Sequence, residues 1–427
     1  MSTATATAVE PAPETTVLRR SWKAPIWFAV FAAVAVIFFG ILGEWGDTST
    51  FGLSTSSDAW EIEPVGVASG PVGLALSLLC AAIAVYAFVL VGRDRPVPIY
   101  LTALYGVAFV LAFLVWAVAG EQVSLTNLLQ GSLALSVPLV FGAMSGVLCE
   151  RAGVINIAIE GQLLAGAFLS AVVASLTGNL YAGLLAAVVA GLLVGFVLAV
   201  FTITYVVNQI IVGVVINVLV LGATNFLYSQ LLAPEGATWN SPGRLSRIEL
   251  PILSDIPVIG PVLFDQTIIV YLMYVAVALI HVALFHSRWG LRVRAVGEHP
   301  KAADTLGIQV NRTRFRNVLL GGMVAGFGGS FFTLGNVGSF SQEMSAGQGF
   351  IALAAMIFGR WSPLGALGAA LLFGFANNLQ SVLGIIGTPI PSEFMLMLPY
   401  ILTIFAVAGL VGRVRAPAAD GVPYVKS

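Results

Sequence analysis

The chain alternates between long apolar runs and shorter polar segments, and this pattern predicts its secondary structure. The runs are continuous, without the every-second-residue alternation of a half-buried strand, and most approach the ~20 residues that a helix needs to cross a hydrocarbon core. We therefore expect an all-α, polytopic helical membrane protein. The expected spans lie near residues 25–42, 71–92, 99–119, 128–148, 153–175, 180–204, 209–232, 267–285, 317–335, 348–361, 363–384 and 394–412.

One of these runs, 348–361, is shorter than the others and predicts a broken or re-entrant helix paired with the next run, 363–384. The chain then has 12 transmembrane helices, or 10 if these two segments form a hairpin. Since both counts are even, the two termini lie on the same side of the membrane.

The basic residues set the expected orientation. With the N-terminus inside, all of the 19 Lys and Arg residues except Arg244 and Arg247 fall in cytoplasmic segments, as the positive-inside rule requires. The segment 43–69 carries acidic residues and no base, which is typical of an outer loop. We expect both termini to be cytoplasmic.

Composition supports a membrane protein and narrows its function. Hydrophobic residues make up 58% of the 427 residues and charged residues 9%, whereas soluble domains carry about 25% charged residues. The formal net charge of −1 gives no basic field for a nucleic acid polymer. Cys80 and Cys149 form neither a disulfide framework nor a metal-binding spacing.

Motifs for catalysis are absent from the sequence. None of the three lysines follows a glycine, so there is no phosphate-binding Gly-Lys-Ser/Thr loop. The three histidines form no His-Glu-x-x-His metal site, and there is no Gly-x-Ser-x-Gly turn. We therefore expect a protein that is not an enzyme and that binds no metal or cofactor itself.

Polar side chains inside the apolar runs are the candidates for a solute pathway. If a helix begins at Gly153, Asn156 and Glu160 share one of its faces, and Glu160 lies about 10 Å along its axis. A carboxylate at that depth faces a cavity or a partner. It either lines a pathway or ties this helix to a neighbour by hydrogen bonds, and both readings stay open. The other amide candidates are Gln162, Asn217 and Asn377.

The polar segment 286–316 is the second informative stretch. Pro300 can open a helix at its first turn, Ala302 and Ala303 continue it, and Gly307 fits a helix stop. The pattern predicts a short exposed helix between two spans, which a soluble partner can grip. The alternative is an ordinary basic cytoplasmic loop.

Three segments resemble binding-protein-dependent ABC importer permeases, in the branch for nucleosides and simple sugars, which is related to ribose and branched-chain amino acid permeases. The first is Gly-Val-Ile-Asn-Ile-Ala-Ile-Glu-Gly-Gln at 153–162, and the second is Arg-Ala-Val-Gly-Glu-His-Pro-Lys-Ala-Ala at 294–303, followed by Gly307. The third is Ala-Leu-Ala-Ala-Met-Ile-Phe-Gly-Arg-Trp at 352–361. His299 departs from the family, in which Asn is frequent at this position.

The resemblance implies a division of labour between subunits. Two permease subunits, homologous or identical, form the pathway, and an extracytoplasmic solute-binding protein delivers the solute. ATP is bound by a partner ATPase subunit, which grips the coupling helix 294–308. The resemblance assigns this coupling role to Arg294, Gly297, Glu298, Pro300, Ala302, Ala303 and Gly307.

The expected domain organisation follows from these segments. A disordered cytoplasmic tail (1–23) precedes accessory transmembrane segments with an acidic outer loop (24–120), a permease core (121–412) and a cytoplasmic tail (413–427). We expect a multi-pass protein of the cell membrane, in contact with lipid, that imports nucleosides. The alternative solutes are a simple sugar such as ribose and branched-chain amino acids. The alternative mechanism is ion-coupled secondary transport, which needs an intramembrane carboxylate, and Glu160 is the sole deep candidate.

Overall fold

The computed structural model describes residues 22–54, 61–386, 397 and 415–426. The chain divides into two compact units, one formed by residues 1–50 and 66–121 and the other by residues 51–65 and 122–427. We call them the N-terminal unit and the core unit.

Helices dominate both units, as the sequence predicts. Within the described residues, ten helices are long and apolar enough to span a membrane. They are α1 (Lys23–Ile41), α2 (Ser69–Gly92), α3 (Ile99–Ala117), α4 (Leu125–Glu150), α5 (Ile159–Thr177), α6 (Leu180–Thr204), α7 (Gln209–Leu232), α10 (Ile268–His286), α13 (Val310–Val337) and α15 (Pro363–Ile386).

Short elements connect these spans. The remaining helices of the described residues are α8 (Gly236–Trp239), α9 (Ile259–Leu263), α11 (Arg288–Glu298), α12 (Pro300–Thr305) and α14 (Gln348–Phe358). The strands are β1 (Thr48–Gly52), β2 (Val65–Ala68), β3 (Gln122–Ser124), β4 (Arg247–Glu249) and β5 (Asp265–Thr267). Strands β4 and β5 pair antiparallel, with Ile248 opposite Gln266.

The N-terminal unit is held together by aromatic side chains from α1 and α3. The rings of Phe28 and Tyr105 stack with their centroids 4.3 Å apart. The Tyr105 hydroxyl donates a hydrogen bond of 2.8 Å to the carbonyl of Phe28. Phe39 packs edge-on against Phe109 and Phe113. These contacts bury large apolar surfaces with few polar groups.

In the core unit, glycines bring the backbones of two helices into direct contact. Gly322 and Gly326 on α13 face Gly191 and Gly195 on α6. A methyl group added at Gly191 would lie 2.0 Å from the Gly322 carbonyl oxygen, so the two backbones touch directly. Small residues at four-residue spacing permit such close helix packing in membranes. Gly191 and Gly195, like Gly322 and Gly326, lie four residues apart, and these two pairs form a helix–helix contact.

The short run 348–361 is a half-length helix, as the sequence predicts. Gly338, just after α13, lies against Arg244 in the loop after α7, and α14 begins ten residues later. At the other end, the Arg151 side chain donates hydrogen bonds to the carbonyls of Trp361 and Arg360, at 2.9 and 3.2 Å. Residues 338–361 thus run from one end of the bundle to the other, with a helix only in the second half.

The segment 151–158 differs from the prediction. It is not helical, and α5 begins at Ile159 rather than at Gly153. Gly153 has φ +86°, a conformation that interrupts a helix. Asn156 and Glu160 therefore do not share a helix face.

Two expectations fall outside the described residues, namely the span at 394–412 and nearly all of the N-terminal tail 1–23. The side of the membrane on which the termini lie stays a prediction.

Candidate solute cavity and coupling segment

Two helices of the core unit begin inside the bundle rather than at its surface. Ile159, the first residue of α5, packs against Gly142 and Gly146 of α4. Gly142 lies eight residues before the end of α4, about 12 Å along the helix axis. The first turn of α14 meets α5 at this level, because Gly349 packs directly on the backbone of Glu160. Such broken backbone is stable at membrane depth only where protein or a water-filled cavity surrounds it.

The carboxylate of Glu160 closes the free end of α14. One oxygen accepts hydrogen bonds from the Ser345 hydroxyl at 2.6 Å and the Gly347 amide at 2.8 Å. The other oxygen accepts from the Gly349 amide at 2.6 Å. These amides belong to the N-terminal end of α14, where the helix dipole favours a negative charge. The cost of a carboxylate at this depth is therefore offset by three hydrogen bonds and the dipole.

Asn217 on α7 binds the backbone groups at the start of α5, as Glu160 does for α14. Its side-chain oxygen accepts a hydrogen bond of 2.8 Å from the Gly161 amide, and its nitrogen donates one of 2.8 Å to the Ile157 carbonyl. Both backbone groups flank the start of α5 and lack helical partners there. Asn217 thus joins α7 to the break between α4 and α5.

Glu160 and Asn217 line a common cavity of about 330 Å³. This volume lies within the roughly 300–1,000 Å³ of small-molecule pockets. The polar groups of its wall are carboxylate, amide, hydroxyl and backbone groups, and the apolar part is formed mainly by α7 and Phe350. The lining residues are Glu160, Gly161, Leu164, Val214, Asn217, Val218, Leu221, Glu343, Ser345, Ala346, Gly347 and Phe350.

The other amide candidates lie elsewhere. Asn156 and Gln162 are fully buried and bond to each other, with the Asn156 nitrogen 3.0 Å from the Gln162 oxygen. Asn156 also donates to the hydroxyl of Ser145 on α4 at 3.0 Å. This network fastens the non-helical segment 151–158 to α4, and none of its three side chains is among the lining residues of the cavity. Asn377 is on α15 and is not among the lining residues.

The expected coupling helix 294–308 is interrupted at His299, so the coupling segment consists of two helices, α11 and α12. The Ser287 side chain caps α11 by accepting a hydrogen bond of 3.1 Å from the Gly290 amide. As predicted from the sequence, Pro300 opens α12. The chain leaves this helix through Gly307, whose φ of +81° places it in the left-handed region.

The seven predicted coupling residues divide by exposure. Glu298, Ala302 and Gly307 are exposed, whereas Gly297 and Ala303 are buried, and Arg294 and Pro300 are half-buried. Arg294 lies over the ring of Phe285, 5.1 Å from its centroid. A methyl group added at Gly297 would lie 2.2 Å from the Arg151 carbonyl oxygen, so this glycine permits a close backbone approach.

A group of buried charges lies beneath this segment. Glu150 at the end of α4 and Arg314 on α13 are 5% and 2% exposed. Arg314 donates to the carbonyls of Ala152, Ala419 and Val422, at 3.2, 3.3 and 2.7 Å. Glu150 accepts a hydrogen bond from the Trp361 indole.

Asp420 completes this group from the C-terminal segment. Burial raises the pKa of its carboxyl to about 6, while hydrogen bonds with Glu150 and the Gly421 amide and the charge of Arg314 act in the opposite direction. The whole group was missed by the sequence reasoning. A charged residue in or beside an apolar run was the available signal, at Glu150 and at Arg314.

Comparison with known proteins now identifies the family. The profile of the family described as branched-chain amino acid transport system / permease component matches residues 128–407. The chain belongs to this permease family.

Similar permeases include proteins of known description. The chain is 41% identical over 311 residues to the guanosine ABC transporter permease protein NupQ of Bacillus subtilis, covering 71% of this chain and 97% of NupQ. It is 39% identical over 304 residues to the nucleoside ABC transporter permease protein NupC of Lactococcus lactis, covering 69% and 95%. NupB, a nucleoside ABC transporter permease protein of the same organism, is 29% identical over 161 residues, covering 37% and 44%. No solved structure matches the chain.

Membership of this family has direct consequences. The chain is a membrane permease and not an enzyme, and it is a multi-pass protein of the inner membrane. Because the permease belongs to an ABC system, its partners include an ATPase and a solute-binding protein.

Proposed function

We propose that this permease forms the solute pathway of an ATP-driven importer for nucleosides. The observation that carries the proposal is the cavity where α5 and α14 begin, because both oxygens of its deep carboxylate, Glu160, are already bonded to donors at the end of α14. Of the two carboxylates that line the cavity, the exposed Glu343 retains accepting capacity, which suits the O–H and N–H donors of an uncharged polar solute. The guanosine and nucleoside permeases among its relatives support a nucleoside as that solute.

The lining residues match the chemistry of a nucleoside. Phe350 and the apolar residues of α7 offer surface for a flat base. The exposed Glu343 adds a carboxylate, which can accept hydrogen bonds from ribose hydroxyls or from base N–H groups. The Ser345 hydroxyl is 1% exposed and is already bonded to Glu160. The Glu343 carboxylate already accepts a hydrogen bond of 3.3 Å from Asn225.

The same geometry disfavours ion-coupled transport. A secondary transporter needs an intramembrane carboxylate that can take up and release the coupling ion. Both oxygens of Glu160 are engaged by three donors, so releasing them would expose the end of α14. We therefore assign Glu160 a positioning role at the edge of the pathway.

We assign ATP binding to a partner ATPase, which docks on α12 and its flanking residues. This chain has no phosphate-binding loop of the Gly-Lys-Ser/Thr type. A second permease subunit completes the pathway, and the presence of two nucleoside permeases, NupB and NupC, in one organism supports a heteromeric pair. An extracytoplasmic protein delivers the solute. No cofactor is assigned to this chain.

Uptake measurements test the nucleoside assignment. Cells with and without the gene are supplied with labelled guanosine, adenosine or uridine, and unlabelled ribose or leucine is added as a competitor. We expect gene-dependent uptake that depends on ATP and resists both competitors. Inhibition by ribose or by leucine would move the assignment to a sugar or to branched-chain amino acids. Uptake that persists without ATP and collapses with the ion gradient would indicate a secondary transporter.

Two substitutions test the coupling segment. Proline cannot adopt the φ of +81° at Gly307, so Gly307→Pro should misdirect the exit from α12. Glu298→Lys reverses an exposed charge on the expected docking face. We expect both variants to reach the membrane at normal levels and to lose uptake. Normal uptake in either variant would contradict the docking assignment for that residue.

A further inference from the structure

The C-terminal segment 415–426 lies across the coupling helices. The Ala419 amide donates a hydrogen bond of 2.8 Å to the Gly297 carbonyl at the end of α11. The Ala418 amide donates one of 3.2 Å to the Glu298 carboxylate. Further along, the Lys426 ammonium group lies 3.7 Å from the Asp304 carboxylate on α12. The segment therefore contacts both coupling helices, one after the other. We refer to residues 415–426 as the strap.

An apolar contact adds to these polar ones. Tyr424 of the strap packs with Ala303 of α12, Val310 of α13 and Ile308 between them. Ala303 and Val310 are both 2% exposed. The strap thus helps to bury the inner face of α12.

The strap is also fixed to the transmembrane core. The guanidinium group of Arg314 on α13 donates to the Ala419 and Val422 carbonyls. Asp420 reaches inward to Glu150 at the end of α4. Removing one partner from a buried group of charges leaves the others uncompensated, which makes such an anchor costly to break. The strap consequently connects the coupling helices to the ends of α4 and α13.

Beside these contacts, apolar side chains point outward. Leu306, two residues beyond the Lys426–Asp304 contact, is 81% exposed. Val425 and Val422 of the strap are 71% and 52% exposed. Apolar residues surrounded by polar ones are typical of protein–protein contact surfaces. Their place beside α12, the helix assigned to the ATPase, points to that subunit as the partner.

We propose that the strap and α12 together form the ATPase-docking surface of this permease. This inference rests on the proposed function, since it takes the partner to be the ATPase of the importer. The ATPase contacts Leu306, Val422 and Val425, and Asp420 holds the strap in position without contacting the partner. A displacement of α12 then reaches α4 and α13 through the strap as well as through the chain itself. Helix α4 packs against α5 and α14, and α13 packs against α5. The first turns of α5 and α14 border the solute cavity.

The test replaces the exposed strap residues and leaves the anchor intact. The Val422→Glu/Val425→Glu double variant places two charges on the proposed docking surface. The matched control is Ile252→Glu/Leu253→Glu, at two exposed apolar residues of the polar loop between α7 and α10. Affinity-tagged permease is purified from native membranes in mild detergent. Vanadate-sensitive Mg·ATP hydrolysis is then measured per mole of permease, which requires no solute.

We expect the strap variant to retain at most a tenth of the co-purifying ATP hydrolysis of wild type, and the control to retain all of it. Equal retention in the strap variant and wild type would overturn the inference and leave the proposed function standing. If wild-type permease itself retained no ATP hydrolysis, the proposed function would fail and the inference with it. Removal of residues 415–427 should reproduce the loss seen in the strap variant.

Discussion

The N-terminal unit and the core unit are both helical, and both contain close glycine contacts, at Gly73 against Phe39 in the first and at Gly191 against Gly322 in the second. They differ in their aromatic packing and in the continuity of their helices. In the N-terminal unit, aromatic rings fill the space between helices, and Gly106 on α3 has no neighbouring atom within 4 Å of an added methyl group. In the core unit, the backbones of α6 and α13 touch at Gly191 and Gly322. In the core unit, α5 and α14 begin inside the bundle, and Glu150 and Arg314 are buried beneath the coupling segment.

From this difference we infer that the core unit carries the solute. Aromatic packing between continuous helices can form a stable bundle, but it offers no polar group along a path. Broken helices expose backbone groups that need partners, and those partners, Glu160 and Asn217, line the cavity. The family profile begins only at residue 128. The alignment with NupQ covers 97% of NupQ but only 71% of this chain, so nearly the whole of NupQ matches a part of this chain.

The largest expected effect comes from the glycine contact. Gly191→Val places a side chain where even a methyl group would lie 2.0 Å from the Gly322 carbonyl oxygen. Overpacking of this kind costs about 1–3 kcal/mol or more, because neither backbone can move freely. We expect the variant to be nearly absent from membranes, by immunoblot, while Gly106→Val in the N-terminal unit accumulates normally. Similar levels of the two variants would show that the contact between α6 and α13 tolerates a side chain.

A second prediction concerns the closed end of α14. Glu160→Gln supplies one accepting oxygen where three donors need two, and Glu160→Ala supplies none. An unsatisfied buried donor costs about 1–3 kcal/mol. We expect guanosine uptake to fall at least tenfold in both variants at unchanged membrane levels. Glu121→Gln, at an exposed residue of the N-terminal unit, is the control and should retain wild-type uptake. Normal uptake in Glu160→Ala would contradict the positioning role.

A third, smaller effect is the pH dependence of the strap. The folded-state pKa of Asp420 is raised to about 6, above its usual value of 3.8. Protonated Asp420 therefore stabilises the docked strap, and this contribution is complete below pH 3.8 and is lost as pH rises through 6. The charged and titratable groups that face Asp420 are Glu150, Arg314 and Cys149.

Between pH 5.5 and 7.5 we expect strap docking to weaken by about 1 kcal/mol. Hydrogen exchange at the Ala419 amide, corrected for the intrinsic rate, measures this loss directly. Asp420→Asn removes the titrating group and should abolish the change. The same pH dependence in that variant would assign the effect to another group.

The smallest effect is expected in the N-terminal unit. Tyr105→Phe keeps the stacked ring and removes the hydrogen bond to the Phe28 carbonyl. Such a bond contributes about 1 kcal/mol, so thermal unfolding in detergent should shift slightly and uptake should not change. A large loss of uptake would mean that this unit takes part in transport.

Local patterns in the sequence predicted much of this structure. Apolar runs located the spans, the short run 348–361 indicated the broken helix, and Pro300 and Gly307 delimited α12. The left-handed turn at Gly153 was missed, because a glycine in an apolar run fits a helix interior equally well by hydropathy. The group formed by Glu150, Arg314 and Asp420 joins three distant segments, and no local spacing records such a contact.

The candidate site was predicted only in part, because local patterns identify polar residues but not their neighbours in the fold. A deep carboxylate in an apolar run stands out, and Glu160 and Asn217 do line one cavity. Composition cannot tell a lining amide from a buried one, however, and Asn156 and Gln162 are fully enclosed. The distinction depends on which neighbours the fold supplies.

Cysteine labelling tests the central claim, that solute passes the cavity at the start of α5 and α14. Val218 lines the cavity, whereas its neighbour Leu219, equally exposed on α7, does not. The native Cys80 and Cys149 are buried, so a polar maleimide should leave wild-type uptake intact. We predict that labelling Val218→Cys blocks guanosine uptake and that excess guanosine prevents the labelling, whereas Leu219→Cys shows neither effect. Full uptake by labelled Val218→Cys, or protection by guanosine at Leu219→Cys alone, would contradict the proposed pathway.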